Sequence, residues 1–264
     1  MDKELAALAA QHDELSALLA TLDEEGWQTP SRCDGWTVAD VVLHLAQSDE
    51  LALASLRGRF ADAVAELAAA ASVAEGEGAV GGLGPAATAD EGAAVMVERE
   101  RGMSAAAVRE RWQAGADDLR RELAEAEPGR RVEWVAGQLS VRTLATTRLA
   151  EAWIHTGDVA VPLGRPRAMD DRLWHIARLA WRTLPYALAR AGRELSGPVA
   201  FALDAPNGDT WHFAPDDDDA LTVVEGAAVE LCEVAGQRAD AADTGLRAEG
   251  PDAAAVLELV RTFA

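Results

Sequence analysis

Leu149-Ala150-Glu151-Ala152-Trp153-Ile154-His155-Thr156-Gly157-Asp158 lies inside a proline-free run, Val141 to Ala160, whose apolar residues recur at helical spacing. On a helix, residues four apart stand above one another on one face. Glu151 and His155 therefore point the same way, with Leu144, Arg148 and Val159 along the same stripe. A carboxylate oxygen and an imidazole nitrogen so spaced suit one divalent cation. A surface ion pair carries the same signature, so the spacing alone leaves both readings open. Two ligands do not make a site. The candidate third is His44, in Gly35-Trp36-Thr37-Val38-Ala39-Asp40-Val41-Val42-Leu43-His44-Leu45.

The two motifs together, Trp36 to Leu45 followed far downstream by Glu151 to Asp158, are much more specific than either alone. The pair resembles the mycothiol-dependent maleylpyruvate isomerase family, a branch of the DinB-like metal-binding helix bundles. That resemblance implies a divalent metal, zinc by ligand type, held by His44, Glu151 and His155 with a coordination place left open. It also implies mycothiol, a small cysteine thiol of actinobacteria, as co-substrate. Addition of such a thiol to an activated double bond, rotation and release gives cis–trans isomerisation; stopping after addition, or displacing a leaving group, gives S-transfer. Ile154, Thr156 and Gly157 depart from the best-known isomerases around the ligands.

Composition narrows the class. The chain has 264 residues, 49% of them hydrophobic, enough for two packed domains. Lys plus Arg number 24 against 45 Asp plus Glu, a formal charge of −21. That field repels phosphate backbones and anionic lipid, so nucleic acid and membrane are poor partners; a small-molecule substrate is what the family resemblance implies. The start, Met1-Asp2-Lys3-Glu4-Leu5, shows no secretory pattern, and no apolar run reaches the roughly 20 residues that span a bilayer. Cys33 and Cys232 lie far apart without CxxC spacing and read as reduced thiols of a cytoplasmic protein.

In order, Leu5, Leu8, Leu15, Leu18, Leu19 and Leu22 give the first helix an apolar side, with His12 on its solvated side. Thr37 is an N-cap answered by Asp40, opening a helix to about Arg57. Residues 75–85 are too glycine-rich to order themselves, and the segment to residue 90 reads as an insertion or as a lid. Thr88 with Glu91 opens a long helical pattern to about Glu127, broken near Gly102 with Ser104 capping its second piece. Ser140 caps the last helix. These elements predict a four-helix bundle over residues 1–164. Residues 165–264 read as an α+β domain with an antiparallel sheet, resembling the family's sterol-carrier-like second domain. It opens with a helix from Met169 to Ala191 that Pro185 kinks or breaks; a hairpin turning at Asn207-Gly208 follows.

Further candidates surround the triad. Asp158, one turn past His155, either orients that imidazole or ends the helix. Arg148 either pairs with Glu151 or clamps a substrate carboxylate. Asp40, Gln47 and Ser48 flank His44. Arg172, His175 and Arg182 share a helix side and either bind an anionic ligand or cofactor or form a solvated face; Arg238 is a similar candidate. Cys33 reads as a small buried residue rather than a catalyst. Three functions stay open: a thiol-dependent metal isomerase or S-transferase, a thiol-independent metal enzyme such as a hydrolase, and a non-catalytic ligand-binding bundle.

Overall fold

The computed structural model describes residues 1–66, 89–135, 137–215 and 219–262. The lid expected before residue 90 and the Thr88 cap fall outside these residues, apart from the helical turn beginning at residue 89. The chain divides into two compact units, Met1–Ala145 with His155–Arg167, and Thr146–Ile154 with Ala168–Ala264.

The first unit is helical. Its elements are α1 (Asp2–Leu19), α2 (Glu24–Trp27), α3 (Val38–Leu56), α4 (Ala89–Glu100) and α5 (Ala105–Glu125), then a small hairpin of β1 (Arg131–Val132) and β2 (Leu139–Ser140). Helix α6 (Val141–Ala160) follows directly, its stretch Thr146–Ile154 belonging to the second unit. Helix α3 packs along α5 and against α4, and α1 lies on α5. Their apolar stripes meet in one core of Leu15, Leu19, Val38, Val41, Val42, Val97, Val108, Trp112 and Val159. Gly102 takes φ +96, a conformation that ends α4, and the Ser104 hydroxyl accepts from the Ala107 N–H to start α5.

Helix α3 begins as its sequence dictates. Thr37 Oγ1 accepts from the Asp40 N–H at 3.3 Å, and Asp40 Oδ2 accepts from the Thr37 N–H at 2.9 Å. This reciprocal cap satisfies two main-chain donors that the first turn would otherwise leave open. On α1 the expectation for His12 is corrected. The ring is buried, edge-on to Trp112 at 5.9 Å, because His12, four residues after Leu8 and three before Leu15, lies within the leucine stripe that faces α5.

The second unit is α+β. Helix α7 (Leu173–Arg190) precedes β3 (Val199–Asp204), β4 (Thr210–Phe213) and β5 (Thr222–Ala227), then α8 (Ala228–Ala235), β6 (Arg247–Glu249) and α9 (Ala253–Leu259). Helix α7 packs on α8 and α9. The sheet order is β4-β3-β5-β6. Its two outer pairings are antiparallel, whereas the central pair, from Val199 opposite Thr222 to Asp204 opposite Ala227, is parallel. The Asn207-Gly208 turn forms as expected, with Gly208 at φ +89. Pro185, by contrast, neither breaks nor ends α7, which runs on to Arg190; the proline is exposed. Among the described residues no helix is long and apolar enough to cross a membrane.

Replacing Thr37 by Ala removes one half of the reciprocal cap. The expected loss is about 1 kcal/mol of unfolding free energy, read from the denaturant midpoint of the variant beside the parent.

Candidate metal centre

Helix α6 departs from the amphipathic rule. Ser140 caps it by accepting from the Thr143 N–H at 3.1 Å. Every residue from Thr147 to Ala160 is buried. A helix buried all round is normally apolar, yet this one carries Arg148, Glu151, His155 and Asp158 on a single face. Charges withdrawn from water need partners, and these have them. Arg148 Nη2 stands 3.8 Å from Glu151 Oε2, and His155 Nδ1 lies 2.9 Å from Asp158 Oδ2.

His44 comes from α3, buried between two rings: Trp36 at 5.3 Å and His155, edge-on, at 4.8 Å between centroids. His44, Glu151 and His155 each bring a ligand atom within 4.8 Å of the others, and none is more than 8% exposed. The three residues singled out by spacing and by resemblance therefore converge. Two imidazoles and one carboxylate are a donor set that suits a borderline-soft divalent cation.

A second cluster shares His155. The loop between α2 and α3 is tied to α6 by the Arg32 N–H, which donates to the Asp158 carbonyl at 3.1 Å. Within the loop the Ser31 N–H donates to the Trp36 carbonyl, and Ser31 Oγ accepts from the Cys33 N–H at 3.1 Å; Gly35 makes the turn at φ +75. Cys33 is thereby half-buried with Sγ 3.2 Å from Asp158 Oδ2 and 3.8 Å from His155 Nδ1. Cys33, read as a small buried residue, is half-buried, and its thiol donates to a carboxylate. The available signal was its position, two residues before the glycine turn that leads into the His44 helix.

Asp158 does not end α6, which runs on to Ala160; its carboxylate receives the His155 ring. Asp40 is engaged in the cap and, at 3.6 Å, with Arg101. Gln47 Nε2 donates to the Met96 carbonyl and to Glu100, and Ser48 Oγ donates to the Leu45 carbonyl. These three side chains serve the helix packing. In the second unit Arg172 is buried and donates to both Asp170 carboxylate oxygens at 2.8–3.1 Å, so its charge is answered there. His175 packs edge-on against Trp174 at 5.2 Å, Arg182 is exposed, and Arg238 Nη1 donates to the Gly236 carbonyl. At Gly157 a Cβ would meet the guanidinium of Arg167, the movable end of a flexible side chain.

Residues 8–160 match the family model of the mycothiol maleylpyruvate isomerase N-terminal domain. An uncharacterized protein of Mycobacterium tuberculosis, matched in two strains, is 32% identical over 261 residues, covering 98% of this chain and 95% of that protein. Two crystal structures, of the mycothiol-dependent maleylpyruvate isomerase and of its histidine-to-alanine variant, share the fold. Each has a TM-score of 0.59 and covers 96% of this chain and 95% of its own, at 19% and 18% identity.

The hydrogen bonds from Arg172 hold the Asp170 carboxyl below its ordinary value of 3.8. A depressed folded-state value stabilises the protein above that ordinary value, and the contribution is lost as pH falls through the folded one. Arg172→Ala should return the Asp170 titration, followed by carboxyl 13C shifts, toward 3.8 and remove this part of the acid dependence of stability.

Proposed function

The chain belongs to the mycothiol maleylpyruvate isomerase family, and from that premise we propose that it is a metal-dependent enzyme using a low-molecular-weight thiol, mycothiol, for isomerisation or S-transfer on a small electrophilic, carboxylate-bearing substrate. The observation that carries the reading is the convergence of His44, Glu151 and His155 from two helices in a buried setting. Three protein ligands, rather than four, are the pattern of a catalytic zinc site, since part of the coordination sphere is left to an outside ligand. When bound, the ion supplies Lewis acidity, favouring the thiolate of an arriving thiol and negative charge on a carbonyl oxygen.

The protein's own residues do the rest. Asp158 accepts from His155 Nδ1, which leaves Nε2 as that ring's ligand atom. Arg148 balances the buried Glu151 carboxylate. Burial on α3 and α6 keeps bulk water from the ligand set, which strengthens every charge interaction there. The family match and the shared isomerase fold support the thiol; the donor set supports the metal.

Protein purified without added metal should carry a stoichiometric divalent ion by elemental analysis, and His44→Ala should lose most of it. Equal contents would remove His44 from the ligand set. With cobalt substituted, mycothiol should shift the visible spectrum of the parent protein. Retained metal with no response to the thiol would transfer the assignment to a thiol-independent metal enzyme.

A further inference from the structure

Asp158 Oδ2 is shared. It accepts from His155 Nδ1 at 2.9 Å and from the Cys33 thiol at 3.2 Å, while Asp158 itself is 0% exposed. Cys33 Sγ also flanks the same ring nitrogen at 3.8 Å. An ionised carboxylate only accepts, so Nδ1 carries the hydrogen in this arrangement. The thiol reaches the carboxylate because its loop is fastened twice, by Ser31 to Trp36 and by Arg32 to the α6 backbone at Asp158.

We infer that Cys33 is a positioning residue for His155. Its S–H donor, with the sulfur packed beside Nδ1, fixes the Asp158 carboxylate and through it the orientation and tautomer of the imidazole. Cys33 then acts on the metal centre without being a ligand. Groups that hold a ligating imidazole in this way change metal affinity on removal by about 10- to 100-fold. A sulfhydryl is a weak donor, so the lower end of that range applies. The consequence for metal rests on the function proposed above; the effect on the ring does not.

The test compares the parent with Cys33→Ser, which keeps a donor, and with Cys33→Ala and Cys33→Val, which lack one. Two donor-less variants of different size let one report if the other does not fold. The His155 ring is read by long-range 1H–15N correlation without metal, and zinc affinity by competition with a chelating dye. The parent and Cys33→Ser should show the Nδ1–H form. The donor-less variants should show a mixture of tautomers and bind zinc about tenfold more weakly, with unchanged far-ultraviolet circular dichroism. Unaltered ring signals in the donor-less variants, or equal changes in all three, would overturn the inference. A parent that takes up no zinc while the ring still follows the variants would sink the metal reading and leave the positioning role standing.

Discussion

Placing ionisable groups on a stretch of helix closed off from water, Thr147 to Ala160, is the constraint from which the rest of this structure follows. Arg148, Glu151, His155 and Asp158 succeed one another along one face of α6, and each is buried. A lone charge in such surroundings costs several kcal/mol, so the surroundings must be built to answer it. The polar contacts of the region serve that end: Arg148 beside Glu151, Asp158 under the His155 ring, and a fastened loop that brings in Cys33. A capped, deeply packed α3 sets His44 against the same stripe. Buried polar groups that satisfy one another specify a single arrangement, and a metal centre needs that uniqueness.

Charge adds a second layer. The chain carries −21 overall, which disfavours anionic partners at long range. A divalent cation held by one carboxylate and two imidazoles would leave a local excess of positive charge, reversing that field over a few ångströms. The Mycobacterium tuberculosis relative spans nearly the same length, so the helical unit and the α+β unit travel together in it.

Much of this was legible in the chain. Side-chain spacing on a helix is a local rule, so Glu151 and His155 could be aligned from the sequence, and the family motif supplied His44. The caps at Thr37, Ser104 and Ser140 are equally local, and all three form. What escaped depends on tertiary cover. His12 is the exception: it stands four residues after Leu8, inside the stripe that α5 buries, so its burial follows from the spacing itself. Gln47 and Ser48 sit near His44 in sequence but turn to Met96, Glu100 and the Leu45 carbonyl. Cys33 reaches α6 only because its loop folds back, and no period encodes a loop's path. The parallel β3–β5 pair was invisible for a related reason: alternation reports which face of a strand is buried, not the direction of its neighbour.

The lengths of the strands carry a consequence of their own. The two interior members, β3 and β5, are six residues each, while the outer ones, β4 and β6, have only four and three. A sheet margin exposes main-chain donors and acceptors that can recruit a stranger's backbone, the first step toward fibrils and swapped assemblies. Margins this brief offer little template, and an acidic chain repels its own copies besides. The sheet is in this way guarded against adhesion, and the large apolar side chains of β4, Trp211 and Phe213, are buried.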